Sequence, residues 1–251
     1  MLALAYEHSL DMVLTCSNQL ADEMAGMGIP RHKLVRAPNA SPIPLSAQQR
    51  SEITALRHDS TGAEIRVLFL GRLDRQKGLE RLVKIVSELN DVPGVSIRII
   101  GKSIVEETTA DLEVIADLIE DPIYDNDLLS EVYTWADVLL LPSLYEGLPL
   151  TVIEAMQHGV VPIVADCGAV TEVIDEGVDG FVVPQSLVVE GFIAHVLQLK
   201  EDGALRREMQ LAAMEKGVAR DWREGALAFA GKIEELREAQ ARRQARLTLA
   251  G

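Results

Sequence analysis

Glu146 and Glu154 are the two carboxylates of the stretch Leu141–Gly159, which reads LPSLYEGLPLTVIEAMQHG. Pro142, Gly147 and Pro149 force a loop around Glu146. From Pro149 the pattern turns helical, with Leu150, Ile153 and Met156 at spacing three and Gly159 in the place of a helix-ending glycine. The N-terminus of that helix lies between the carboxylates. It presents free backbone N–H groups and a partial positive charge, so it can hold an anion. A phosphate on the N–H groups of Leu150 and Thr151, with the carboxylates accepting hydroxyls on either side, suits a sugar joined through a diphosphate to a nucleoside. The same pair also fits a plainer description, a solvated loop residue and a solvated helix residue.

A second loop supplies cations. Gly71-Arg72-Leu73-Asp74-Arg75-Gln76-Lys77-Gly78 follows an apolar run. No Gly-Lys-Ser/Thr follows in this loop, so it is not a P-loop, and it lacks the G-x-G-x-x-G spacing of the dinucleotide fingerprint. Arg72 offers a planar fork to two phosphate oxygens, and Lys77 a mobile point charge. Arg75 reads as a surface charge. A third loop, Asp166-Cys167-Gly168-Ala169-Val170-Thr171-Glu172, brings Gly168, which permits close backbone approach. Glu172 reads there as a helix N-terminal charge rather than a ligand contact.

These loops must be held by a sheet. Arg66–Leu70, Val95–Ile100, Val138–Leu141, Val161–Ala165 and Gly180–Val183 read as strands. Leu79–Leu89, Thr109–Ile119, Asn126–Trp135, the helix after Pro149 and a short Val170–Glu176 read as helices between them. Such alternation predicts an α/β fold with a doubly wound, mostly parallel sheet, whose ligands bind at the carboxyl ends of the strands. Residues 1–40 form a small strand–helix–strand piece, with strands Met12–Thr15 and Lys33–Arg36 around a helix from Asn18 capped by Ser17. Residues 41–64, polar and opened by Pro42 and Pro44, read as a linker with at most a short helix. Residues 65–218 form the main domain, and 219–251 a long charged helix beginning near Trp222.

Composition narrows the partners. The 251 residues are 48% apolar, and Lys+Arg 24 against Asp+Glu 39 gives a net charge of −15. That balance speaks against a nucleic-acid surface but not against a small anion gripped locally. Cys16 and Cys167 lack metal spacing and read as buried apolar residues of a reducing compartment. No apolar run approaches the ~20 residues of a membrane span. The N-terminus, MLALAYEHSLDMV, lacks the basic lead of a signal peptide. A cytoplasmic protein is expected.

GRLDRQKG together with LPSLYEGLPLTVIEAMQHGVVPIVADCGAVTEVIDEGVDGFVVP resembles the donor-binding domain of the family 4 (group 1) retaining glycosyltransferases of GT-B fold. The likeness covers about residues 65–185 well and 1–40 more loosely. It implies that Arg72 and Lys77 stabilise the donor diphosphate and the leaving-group charge, that Glu146 orients the transferred sugar, and that Glu154 binds the ribose hydroxyls. Gly71, Gly147, Leu150 and Thr151 would line the donor, with backbone N–H groups after Pro149 on the phosphate. The base would sit against Ile123–Tyr124, where EDPIYDNDLL departs from the usual apolar–Gly–x–Val form. Gly168-Ala169 replaces a usual glycine pair.

The resemblance implies a UDP-, GDP- or ADP-sugar donor, a saccharide or lipid-linked acceptor, no metal and no cofactor. It covers the second GT-B domain and only the last strand–helix–strand of the first. The expectation is therefore a truncated chain or half of a split enzyme, prone to self-association or needing a partner that supplies the missing domain. Two other functions are compatible: a non-catalytic nucleotide-sugar-binding module, and a nucleotide-sugar hydrolase or epimerase of related fold.

Overall fold

The structure is a computed structural model that describes residues 10–43, 45–59, 64–102 and 110–249. The stretch 1–9 read against a signal peptide, Pro44 of the expected linker, and Thr109 at the start of an expected helix lie outside the described residues.

The chain divides into two units, 40–220 and the combination of 1–39 with 221–251. The smaller unit contains β1 (Val13–Thr15), α1 (Asn18–Gly26) and β2 (Leu34–Arg36), with β1 and β2 paired in parallel. The Ser17 side chain caps α1 by accepting from the Leu20 N–H at 3.1 Å. Within the same unit Arg36 bonds Glu224 at 2.8 Å, at the start of α9 (Trp222–Leu249).

The larger unit is built on six parallel strands: β3 (Ile65–Leu70), β4 (Val95–Ile100), β5 (Ile119–Glu120), β6 (Val138–Leu141), β7 (Val161–Ala165) and β8 (Phe181–Val183). Their order is β5-β4-β3-β6-β7-β8. The winding runs outward in one direction from β3 and then in the other from β6. This is the doubly wound arrangement expected, and the crevice outside β3 and β6 is its switch point. Helices α3 (Leu79–Leu89), α5 (Asn126–Trp135), α6 (Leu150–Gln157), α7 (Val188–Glu201) and α8 (Gly203–Ala219) cover the sheet.

The core follows from the pattern. All four residues of β6 and all five of β7 are buried, as for central parallel strands covered on both faces. One cluster joins Ile65, Val67, Leu140 and Ile163 of the sheet to Ile85 and Leu89 of α3 and to Phe192 and Val196 of α7. Each such side chain contributes about 1.5–3 kcal/mol on burial. Helix α6 is buried from Val152 to Gln157, which fixes the loop before it from below.

Three expected elements differ. The linker contains a helix, α2 (Ala47–Asp59). Its start is a reciprocal cap: Ser46 N–H donates to Gln49 Oε1 at 2.9 Å, and Gln49 N–H to Ser46 Oγ at 3.2 Å. Among the described side chains of α2 only Ile53 and Arg57 are buried, so its apolar stripe is too narrow to register as a period. The expected Thr109–Ile119 helix reduces to α4 (Ala110–Val114), a 3₁₀ turn at Ala116–Leu118 and then β5, whose two residues are too few to read as a strand. The expected Val170–Glu176 helix is a single 3₁₀ turn, Val170–Glu172.

Candidate active site

The loop after β3 and the loop after β6 meet at the switch point. The contact needs a glycine: Gly78, at the end of the first loop, has φ +77°, and a Cβ there would stand 2.1 Å from the Pro142 carbonyl oxygen. Gly78 also opens α3, so the same residue starts the helix and admits the neighbouring loop. The Leu144 N–H donates to the Gln76 carbonyl at 2.9 Å, and the Gln76 side-chain amide donates to the Tyr145 carbonyl at 3.3 Å.

Across this junction Lys77 Nζ donates to Glu146 Oε1 at 2.7 Å. Ser143 Oγ donates to the same oxygen at 2.7 Å. The lysine and glutamate side chains are only 15% and 8% exposed, so the pair is shielded from water and interacts more strongly than a surface pair. Glu146 is thus not the solvated loop residue of the plainer description. Its loop is further pinned from β7. Gly168 has φ +58°, and a Cβ there would stand 2.0 Å from the Glu146 carbonyl oxygen. The Ala169 N–H donates to the Gly147 carbonyl at 2.9 Å.

Arg72 is placed differently from Lys77. Among the described residues its guanidinium bonds neither glutamate. It reaches Asp74 at 3.3 Å and donates to Gln76 Oε1 at 2.8 Å. It is half exposed and lines a cavity of about 290 Å³ at the carboxyl ends of β3 and β4 with Gly71, Ile100, Gly101, Ile123 and Tyr124. Tyr124 stands at the rim, 87% exposed. Arg75 is exposed, as a surface charge should be.

Glu154 lies one turn into α6 and is 7% exposed, so it is not a solvated helix residue either. The Tyr133 hydroxyl donates to its Oε2 at 2.6 Å. Burial raises the Glu154 pKa above the usual carboxylate range, and the Tyr133 hydrogen bond partly offsets that rise. The tyrosine hydroxyl is itself pushed well up by burial and by the carboxylate beside it.

Between Glu146 and Glu154 the start of α6 is open. Its N-cap, Pro149, makes no side-chain cap, and the first turn carries no acid. Leu150 and Thr151 therefore present N–H groups that the helix does not satisfy. Thr151 Oγ1 is inaccessible and has no hydrogen-bond partner among the described residues. An anion at this tip meets donors on the helix and a shielded ammonium across the loop.

A buried polar network supports the carboxylate end. His158, wholly buried, faces the Glu154 carbonyl through Nδ1 at 2.7 Å and the Ser130 hydroxyl through Nε2 at 2.9 Å. A carbonyl only accepts, so Nδ1 carries the proton and Nε2 accepts from Ser130. Burial lowers the His158 pKa to about 4, which keeps the ring neutral. Arg57, reaching in from α2, donates to the His158 carbonyl at 2.9 Å and the Tyr133 carbonyl at 3.2 Å, and pairs with Asp137 at 3.5 Å. Its own pKa falls to about 10 through burial, against the opposing pull of Asp137.

The structure therefore gathers Lys77, Glu146, Gly147, Leu150 and Thr151 on one side of the tip, Glu154 behind it, and Gly71, Arg72 and Tyr124 on the adjoining cavity. Tyr133, Ser143, Gln76, His158 and Arg57 were missed by sequence reasoning. Ser143, Gln76 and His158 sat in stretches already singled out, whereas Tyr133 and Arg57 did not. The two cysteines are half-buried rather than buried. Burial and the nearby Glu146 push the Cys167 thiol up to about 11. Glu172 ends a 3₁₀ turn rather than opening a helix. Among the described residues no three His, Cys, Asp or Glu groups are placed to hold a metal ion, and no helix is long and apolar enough to cross a membrane.

Known proteins share this fold. The chain is 31% identical over 178 residues to glycogen synthase of Thermus thermophilus, covering 66% of this chain and 39% of that protein. Its fold matches sucrose-phosphate synthase from Thermosynechococcus elongatus with a TM-score of 0.72 at 21% identity, covering 94% of this chain and 62% of that one. It also matches Anabaena HepE in complex with UDP and glucose with a TM-score of 0.71 at 18% identity, covering 89% and 63%. The chain spans less than half the length of the curated relatives it matches. The family model described as glycosyl transferases group 1 matches residues 55–216, more than half of the chain and the whole of the switch-point site. On its sheet, its two converging loops and this match, the chain belongs to the group 1 glycosyltransferases.

Proposed function

We propose that this chain carries the donor half of a retaining, family 4 sugar transferase and binds a UDP-, GDP- or ADP-sugar at the switch point. The observation that carries the reading is the shielded Lys77–Glu146 pair at 2.7 Å beside an uncapped helix tip, with Glu154 behind it. The diphosphate takes the N–H groups of Leu150 and Thr151 and the cations of Lys77 and Arg72. Glu146 orients the sugar. Glu154 accepts from the ribose hydroxyls, and the base enters the cavity at Gly71 and Tyr124. The glycogen synthase relative and the HepE complex with UDP and glucose support a nucleotide-sugar ligand.

This reading implies a transfer with retention. The bond between the anomeric carbon and the diphosphate oxygen breaks and its electron pair leaves with the nucleoside diphosphate, while the acceptor oxygen bonds the anomeric carbon on the same face and its proton passes to the departing diphosphate oxygen. Fixed cations and N–H groups lower the barrier by holding charge where it grows. A saccharide or lipid-linked acceptor would be positioned by residues beyond this donor site, from a further domain or a partner chain.

Isothermal titration of UDP, GDP and ADP tests the reading. Arg72→Ala and Glu154→Ala should each weaken the preferred nucleotide, and unchanged affinity in both removes the assignment. Release of free sugar from the donor by the chain alone would favour a hydrolase instead.

A further inference from the structure

We infer that Tyr133 is a positioning residue for the donor site: its hydroxyl fixes the Glu154 carboxylate in the one orientation that presents an oxygen to the ligand. The inference rests on the reading of Glu154 as a donor-binding carboxylate. Tyr133 is fully buried and donates to Glu154 Oε2 at 2.6 Å. Oε1 has no hydrogen bond within the protein among the described residues. One oxygen is thereby committed and the other is left for a ligand hydroxyl.

The tyrosine can do this because it is itself immobile. Its ring stacks on His158, centroids 5.2 Å apart at an angle of 28°. That imidazole is pinned at both nitrogens, by the Glu154 carbonyl and by Ser130. Arg57 bonds the carbonyls of both Tyr133 and His158, so one guanidinium ties the two stacked residues together. A carboxylate on a short helix has free rotamers, and fixing one in advance removes an ordering cost from ligand binding.

The arrangement also sets a pH dependence. Of the groups around Glu154, Tyr133 faces the carboxylate from α5, and His158, which caps the end of α6, faces the Glu154 backbone carbonyl. Arg57 from α2 reaches that histidine's carbonyl rather than the carboxylate. The influences on Glu154 are burial, which favours the neutral acid, and the Tyr133 hydroxyl, which favours the anion. Ligand hydroxyls donate to the anion. Losing the tyrosine hydroxyl should therefore move the acid limit of donor binding to higher pH.

The test measures the Glu154 carboxyl titration by carbon NMR on the selectively labelled 251-residue chain, alongside UDP, GDP and ADP affinity from pH 5 to 8. Tyr133→Phe keeps the ring and its stacking. It should raise the Glu154 pKa, weaken the preferred nucleotide about tenfold at neutral pH, and shift the acid limb of binding upward. Tyr133→3-fluorotyrosine keeps the hydroxyl as a stronger donor and should move the carboxyl pKa the other way, which covers the case of a misfolded Phe variant. A carboxyl pKa unmoved by both variants overturns the inference. So does unchanged affinity in Tyr133→Phe while Glu154→Gln loses binding. If Glu154→Gln binds as the wild type does, the donor-site reading of Glu154 falls instead, whatever the NMR titration gives.

Discussion

Lys77 and Glu146, 69 residues apart in the chain, meet at 2.7 Å where the loops after β3 and β6 touch. Each was assigned a different part of the donor, the cation to the diphosphate and the acid to the sugar. In the free protein they hold each other. Donor binding must therefore divert part of the lysine's charge from the glutamate to the phosphate.

That competition gives opposite effects for two nucleotide ligands. Glu146→Ala frees Lys77, so bare UDP, GDP or ADP should bind as well as before or tighter. The sugar-bearing donor should lose about tenfold, one charge-assisted hydrogen bond. Isothermal titration of both ligands into the same variant checks this. Equal losses for the two would mean that Glu146 does not separate sugar from diphosphate.

Arg57 ties α2 to the site from below. Its guanidinium bonds the carbonyls of Tyr133 and His158 and pairs with Asp137, all out of reach of water. Arg57→Ala leaves those carbonyls short of a donor and opens a hole, and should cost about 3–5 kcal/mol. Asp137 keeps Arg66 at 3.1 Å and Gln210 at 3.2 Å, so the fold should survive. Urea denaturation measures the loss, and a change under about 1 kcal/mol would contradict the buried network.

His158 should make the fold acid-sensitive. Its pKa is lowered from 6.5 to about 4 by burial, so between those values the unfolded chain binds the proton and the native one does not. Stability therefore falls as pH drops through this window, by about 3 kcal/mol in all, and is unaffected by this group above it. His158→Gln should flatten the difference between denaturation midpoints at pH 7 and pH 4.5. An unchanged slope would mean that another group carries the dependence.

Gly168→Ala should damage the site from the side of β7. At φ +58° a methyl group is strained, and it would stand 2.0 Å from the Glu146 carbonyl oxygen. A stability loss of about 1–3 kcal/mol is expected, with nucleotide-sugar affinity lost alongside. Melting curves with and without donor separate the two. A variant with full donor affinity would show that the loop tolerates the displacement.

Much of this architecture was legible from residue order, and the reason is visible in particular elements. Strands β4, β6 and β7 and helices α3 and α5 matched their expected bounds because apolar runs bounded by Pro, Gly or Asp are unambiguous over those lengths. Helix α2 read as at most a short helix because its buried face is one isoleucine and one arginine. Arg72, Lys77 and Glu146 announced themselves by lying in loops directly after buried strands, and Glu154 by its place in the helix that follows one. Tyr133, His158 and Arg57 did not, since each is a solitary polar residue on a helix or at its end. Their roles arise from α2, α5 and the end of α6 meeting in one buried network behind Glu154, which no local pattern encodes.

The central claim is that an anion-bearing nucleotide settles on the tip of α6. Amide NMR spectra recorded while UDP, GDP and ADP are added in turn address it most directly. The Leu150 and Thr151 N–H resonances should shift downfield, with the largest change in the chain, at saturation with the preferred nucleotide. If a nucleotide binds and both resonances stay in place, the diphosphate lies elsewhere and the account is wrong.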